Sequence, residues 1–497
     1  MPRTKKTTAT KSTASSSKTA KSAVTIRMYN PGFGDCFLLT FQSSDGSPRY
    51  LLIDCGVHQQ YKGGPARIDL IVKDIAAVTK NHLHIVAVTH EHKDHISGFR
   101  SANKAFAQIK IDDLWLAWTE DLTDPLAMQL KDGIKKGVAE LTSAVNKLAP
   151  LNAEAAAAIQ NVLDFEVSGN PAGVTKSELD ALREISLKKL QKPEDYRRPG
   201  EPPLTIPGVE GVKVYVLGPP KDYNSFGITE KESEMYPEFA ALDASQDFAA
   251  ALKIGESDLT QEEENTIKRS FPFDQRYNLT AEQAQTEPSW QDFFRRYYGF
   301  GKNIPAGQGA SWRRIDGDWL DSARDLVMKI DKMTNNSSLV LAFELTGSDP
   351  HKVLLFVGDA QVGNWLSWPA VTCGDEKGKE ILNRTVFYKV GHHGSRNATL
   401  NTKGLELMDP DNLVAMIPVD QVWANSVEHW EHPALKLLGV LEQKTKNRLL
   451  RADQIGTIAE VLQKPDTLAD DQWQQFMKAV DWDKSADHLW IQYTIES

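Results

Sequence analysis

Four side chains of metal-ligand type fall within six positions of the segment THEHKDHISG (89–98): His90, His92, Asp94 and His95. In extended backbone, residues two apart project to the same side, so His90 and His92 can bind one cation through imidazole nitrogens. Asp94 and His95 then offer a carboxylate and an imidazole to a neighbouring position. Two metal positions roughly 3.5–4 Å apart can share an activating hydroxide, which is hydrolytic chemistry. A zinc-protease helix is excluded, because HExxH needs its second histidine where Asp94 stands.

Elements on either side must hold this cluster in place. The apolar run HIVAVTH (84–90) reads as a strand ending in the first ligand, and a helix opens after Asp94. Further strand signals are TIRMYN (25–30), CFLLTF (36–41) and YLLIDCG (50–56), separated by Pro, Gly and Asp turns. Ala66–Lys80 has helical spacing. After DDLWLAW (112–118) the texture becomes helical, with amphipathic periods over Leu126–Leu148 and Lys176–Leu190 and around Trp319–Ile330, interrupted by the strand-like VKVYVLG (212–218). Strands return as SLVLAFEL (338–345), KVLLFVGD (352–359), TVFYKVG (385–391) and LVAMIP (413–418), with a closing set near 447–461 and 489–495. The expected organisation is a disordered basic tail (1–22), one half of a fold (23–120), an inserted helical and loop region (121–330) with a core strand near 212–218, and the second half (331–497).

Composition narrows the class. With 497 residues, 41% hydrophobic and 25% charged, the chain has an ordinary globular balance, which excludes a fibrous or wholly disordered protein. The net charge of −10 conceals six basic residues and no acid in the first 22, so the remainder stands near −16. Such an acidic body argues against a surface that coats nucleic acid broadly, and confines any such contact to a local site. Three cysteines cannot build a disulfide framework, and no stretch reaches eighteen apolar residues; a cytoplasmic protein without a membrane span is expected. Of twelve histidines, none lies between His95 and His351.

The cluster resembles the HxHxDH hallmark of metallo-β-lactamase fold hydrolases. Asp54 in LLIDCG resembles the aspartate that orients ligand histidines, Asp359 in FVGDA the aspartate bridging both metals, and His392-His393 in VGHHGS the late metal-binding histidine. The resemblance narrows toward the soluble domain of ComEC-type DNA-uptake proteins through PGFGDCFLL (31–39), NNSSLVL (335–341), VGDA (357–360), KVGHHGS (389–395), His432-Pro433 and RADQIGTI (451–458), covering roughly 24–120 and 330–462. It implies an α/β, four-layer αββα sandwich with a long, mainly helical insertion. It also implies two divalent metal ions, zinc or manganese, with His90 and His92 on one. Asp94, His95 and His392, or alternatively His393, hold the other, and Asp359 lies between. Members of this family carry a third histidine on the first metal. Here Glu120 or Asp121 could stand in, favouring a harder cation such as Mn²⁺, and a gap there would reduce the centre to one metal.

The leading expectation is a metal-dependent phosphodiesterase or nuclease, in which Asp94 or Asp359 accepts a hydrogen bond from the attacking water and His432 assists the leaving oxygen. Gly394, Ser395 and Arg396 could cradle the substrate phosphate. Alternatives are a hydrolase of a small phosphodiester, cyclic nucleotide, lactone or thioester, with the insertion as a lid, and a metal-poor, non-catalytic scaffold whose insertion binds a protein partner.

Overall fold

The computed structural model describes residues 23–101, 103–148, 160, 163, 178–228, 233, 235, 286–298, 318–408, 411–428 and 430–496. The basic tail expected at 1–22 lies outside the described residues, as does much of 121–330.

Two mixed sheets form the centre. The first has the order β14-β15-β1-β2-β3-β4-β5, from β1 (Ala23–Tyr29), β2 (Cys36–Gln42), β3 (Pro48–Cys55), β4 (His82–Ala87), β5 (Lys110–Trp115), β14 (Val480–Trp482) and β15 (Trp490–Glu496). The second has the order β13-β12-β11-β8-β7-β6, from β6 (Val212–Gly218), β7 (Val340–Leu345), β8 (Lys352–Phe356), β11 (Thr385–Lys389), β12 (Val414–Ile417) and β13 (Leu449–Arg451). A small hairpin, β9 (Thr372–Cys373) and β10 (Glu376–Lys377), stands apart. The strand foreseen near 212–218 is β6, antiparallel to β7.

Side-chain alternation explains the layering. Along β6, β7 and β8, Val214, Val216, Leu341, Phe343, Leu354 and Phe356 face inward against Val24, Ile26, Phe37 and Phe41 of the first sheet. Phe37 meets Phe356 edge-on with centroids 5.7 Å apart, and Phe41 stacks on Phe343 at 5.8 Å. The intervening residues Tyr215, Leu217, Ala342, Val353 and Leu355 point the other way, under Trp365, Ile381, Leu437 and Leu441 of the outer helices. On the far side of the first sheet, Ile68, Ile71, Val72 and Ile75 recur at helical spacing and pack the 64–79 helix onto Leu38, Leu52 and Val86. Helices, sheet, sheet and helices therefore lie in succession.

Both sheets contain parallel strands, β3-β4-β5 and β8-β11-β12-β13. Their carboxyl ends open at one edge of the double layer, the place where α/β sheets present ligand-binding side chains. Asp54 closes β3, His90 follows β4, Asp359 follows β8 and His393 follows β11. From the inserted region, the 125–148 and 318–336 helices pack on each other at the same end, with Leu130 and Met333 in one buried cluster beside Trp118 and Phe226.

Candidate metal centre

Asp54 organises the first half. Its backbone is left-handed, φ 56°, which a short polar residue tolerates better than most. Its carboxylate accepts from the Thr89 N–H (2.8 Å), the Thr89 hydroxyl (2.7 Å) and His95 Nδ1 (2.8 Å). Holding Nδ1 turns His95 Nε2 toward Asp359 Oδ2 at 3.0 Å and Asp94 Oδ2 at 3.8 Å.

Asp94 is set from behind by the turn after β3. A Cβ on Gly56 would lie 2.4 Å from the Asp94 carbonyl carbon, so only glycine lets these backbones meet. The Asp35 N–H donates to the Asp94 carbonyl at 2.9 Å, which carries the Asp35 carboxylate into the same pocket.

The late histidine is His393. His392, His393 and Gly394 all have left-handed backbones, φ 45°, 51° and 85°, an arrangement that persists only where its surroundings enforce it. The path sends the His393 ring inward, where Nδ1 donates to the Pro418 carbonyl at 2.6 Å and Nε2 faces Asp94 Oδ2 at 2.8 Å. His392 contributes its backbone N–H to Asp359 Oδ1 at 3.1 Å, while its ring turns to Ser395 Oγ at 3.0 Å. Of the two candidates, His393 is therefore the ring that enters the buried cluster, while the His392 ring lies against Ser395.

Asp35, His95, Asp359 and His393 form a buried cluster that can hold a metal ion. Asp94 borders it through Oδ2. Four of the six edges joining Asp94 Oδ2, His95 Nε2, Asp359 Oδ2 and His393 Nε2, those between a histidine and an aspartate, run 2.8, 3.8, 3.0 and 3.8 Å. A tetrahedral site with metal bonds near 2.0–2.1 Å has ligand–ligand edges of about 3.3–3.4 Å, so the quartet has the right scale.

Buried negative charge dominates the pocket. Asp35, Asp54, Asp94 and Asp359 are each 1% exposed, and beside them Lys389, equally buried, is the permanent positive charge. Lys389 Nζ reaches Asp35 Oδ2 at 2.5 Å and Asp359 Oδ1 at 3.3 Å. Three negative charges remain for the histidines to balance. Burial alone would lower the His95 and His393 pKa values, but the surrounding aspartates, Asp359 foremost, outweigh it and raise both. Burial opposes ionisation of Asp94 and Asp359, yet His95 holds both carboxyls below the usual range, while burial pushes Asp35 up. Asp35 Oδ1, Asp94 Oδ1, Asp359 Oδ2 and His95 Nε2 are buried without a hydrogen bond. Orphaned ligand atoms around a negative pocket are what a cation site presents.

Next to this quartet, His90 Nε2 and His92 Nδ1 converge at 3.0 Å. His90 Nδ1 lies 3.0 Å from Thr89 Oγ1 and 3.3 Å from Ser338 Oγ, so the NNSSLVL segment supports this ring. Burial and the neighbouring rings of His95 and His92 hold the His90 pKa well below its ordinary value, leaving a neutral imidazole.

Glu120 and Asp121, the candidate stand-in ligands, are engaged by basic side chains. Glu120 Oε1 is held by Lys131 at 2.7 Å and Asp121 Oδ2 by Arg198 at 2.9 Å, both cations from the inserted region. The phosphate cradle is also changed: the amides of Gly394 and Ser395 close their own turn onto Gly391 O (3.0 Å) and His392 O (2.8 Å). Arg396 is half-buried beside it. His432 reaches the rim, its ring 5.5 Å from that of His392, within an aromatic wall of Phe33, Trp423 and Trp430.

Sequence reasoning missed Asp35 and Asp331 as members of this neighbourhood. Asp35 stands in the PGFGD segment that carries the resemblance, which was its available signal. Asp331 Oδ1 lies 3.9 Å from His92 Nε2 and comes from the 318–336 helix, which begins in the inserted region and runs past its expected end, where nothing local marks it.

No helix among the described residues is long and apolar enough to cross a membrane. Comparison of the chain with protein-family models and with curated proteins returns no match.

Proposed function

We propose that the chain is a metal-dependent hydrolase of the metallo-β-lactamase type, acting as a phosphodiesterase or nuclease on nucleic acid. One observation carries the reading. His95 and His393 have each committed Nδ1 to an acceptor, and each turns its remaining nitrogen onto a carboxylate oxygen, at 3.0 and 2.8 Å. Two acceptors in contact need a proton or a metal ion between them.

Asp94, His95, Asp359 and His393 would hold one cation, with Asp35 beside them; His90 and His92 would begin a second position. Divalent zinc or manganese bound there would supply charge to polarise a phosphoryl oxygen and to acidify water. The chain's own groups do the rest. Asp94 Oδ1, ionised and without a hydrogen bond, accepts from the attacking water and orients it. Asp359 divides its roles: Oδ1 is fixed by Lys389 and the His392 N–H, and Oδ2 stays turned to the cluster. His432, on the rim, donates toward the leaving oxygen. The adjoining Phe33, Trp423 and Trp430 pack on one another and wall the rim beside His432.

The test is cleavage of labelled single- and double-stranded DNA and RNA with Mn²⁺ or Zn²⁺, alongside bis-p-nitrophenyl phosphate and a lactone, by the wild-type protein and by H92A and D94A. Loss of at least 100-fold in both variants is expected; undiminished cleavage eliminates the mechanism. Turnover of the lactone alone replaces the phosphodiester assignment.

A further inference from the structure

The histidines of the centre share a rule. Each turns one ring nitrogen toward the cations' place and has the other beside a fixed partner: His95 Nδ1 on Asp54, His393 Nδ1 on the Pro418 carbonyl, His90 Nδ1 between Thr89 and Ser338. His92 is reversed, with Nδ1 facing His90 and Nε2 facing away, toward Asp331 Oδ1 at 3.9 Å. That separation suits an ion pair, and a shift of about 1 Å closes it to a hydrogen bond.

Asp331 is held for this contact. Asn335 Nδ2, one turn along the 318–336 helix, donates to Asp331 Oδ2 at 3.1 Å and leaves Oδ1 turned to His92. The helix is anchored at its end, where the Asn336 side chain donates to the Phe226 carbonyl and accepts from the Asn364 N–H, each at 3.1 Å. It runs on into Ser338, the partner of His90. One element therefore reaches both histidines of the first cation position. Its packing neighbour, the 125–148 helix, supplies Lys131, which binds the intervening Glu91 at 2.6 Å.

We propose that Asp331 is the positioning carboxylate of His92, so that the 318–336 helix completes the first cation position. The proposal rests on the reading that the cluster binds cations. A carboxylate on the outer nitrogen fixes the Nε2–H tautomer and leaves the Nδ1 lone pair for the metal; loss of such a partner commonly costs 10–100-fold in metal affinity.

The experiment titrates Zn²⁺ and Mn²⁺ into full-length wild type, D331A and D331N, with bound metal counted by elemental analysis after dialysis. Wild type is expected to hold two equivalents, D331A to weaken one of them 10–100-fold, and D331N to stay within about threefold, since its amide oxygen accepts the same Nε2–H. Unchanged affinity in D331A overturns the proposal. Equal loss in D331A and D331N overturns it as well, because only direct ligation needs the charged oxygen. Should D331A not fold, nitrogen-edited NMR of zinc-loaded wild type decides: a downfield His92 Nε2–H proton is expected, and an Nδ1–H tautomer refutes the assignment. Absence of any metal from wild type instead sinks the metal reading, a distinct result.

Discussion

Lys389 Nζ lies 2.5 Å from Asp35 Oδ2, and neither side chain touches solvent. Lys389 also donates to the Gly358 carbonyl at 2.8 Å, so it ties the carboxylate carried by the loop after β1 to the loop after β8. Lys389→Met keeps the aliphatic stem and removes the charge, leaving Asp35 and Asp359 without their cation. A loss of about 3–5 kcal/mol in urea unfolding is expected, the usual effect of stranding a buried charge. A loss below 1 kcal/mol would show that the pair is not needed.

Neighbouring histidines should behave differently. His393→Ala removes a ring from among Asp94, Asp359 and Asp35, whereas His392→Ala removes one that leans on Ser395. Metal analysis should show H393A short of one bound cation and H392A close to wild type. The reverse pattern would restore His392 as the ligand.

Cation removal should destabilise the fold. Buried carboxylates crowd the centre, and a cation bound only by the folded chain adds RT ln(1 + [L]/Kd), about 2.7 kcal/mol at a hundredfold excess over Kd. Chelator dialysis should lower the Tm by several degrees and re-addition of Zn²⁺ or Mn²⁺ should restore it. A Tm indifferent to both treatments contradicts the site.

A pH effect is expected far from the centre. Glu344 on β7 is buried, which by itself raises a carboxyl pKa. Tyr215 OH at 2.9 Å, His351 Nδ1 at 3.1 Å and the Arg384 guanidinium at 2.5 Å outweigh burial and lower it. The unfolded chain therefore takes up this proton at higher pH than the folded one. The contribution is complete above the unfolded value, near 4.3, and is lost as pH falls through the lower folded value. Glu344→Gln should cost about 1.5–3 kcal/mol at neutral pH. Its stability should also fall less steeply than that of wild type below pH 4.3; parallel acid limbs would exclude Glu344 as a source of the slope.

The parts of the centre that were legible in sequence are the local ones. His90, His92, Asp94 and His95 lie within six residues at a strand end, so spacing alone brings them together. Asp54 and Asp359 were marked by the resemblance of the short segments that carry them, LLIDCG and FVGDA. Choosing between His392 and His393 needs backbone torsions that three successive left-handed residues impose, which no periodicity encodes. Glu120 and Asp121 looked available because their cations, Lys131 and Arg198, are distant in sequence. Asp331 had no signal at all: on an amphipathic helix it reads as a solvated acid, and only its placement near the loop after β4 gives it a histidine. The strands of the fold were read more securely, since their alternation is a local property, while their division into two sheets is set by contacts between distant segments.

The pairing of β1 with β15 governs the order in which the molecule can be completed. Ala23 meets Glu496 and Tyr29 meets Trp490, so β1 finds one of its two neighbours far along the chain. Until β15 docks, one edge of β1 keeps its N–H and C=O groups unpaired, a template for other extended chains. Contacts spanning this much sequence also favour slow folding. Docking of β15, rather than folding of the 89–98 segment, is therefore the step that completes the pairing of β1.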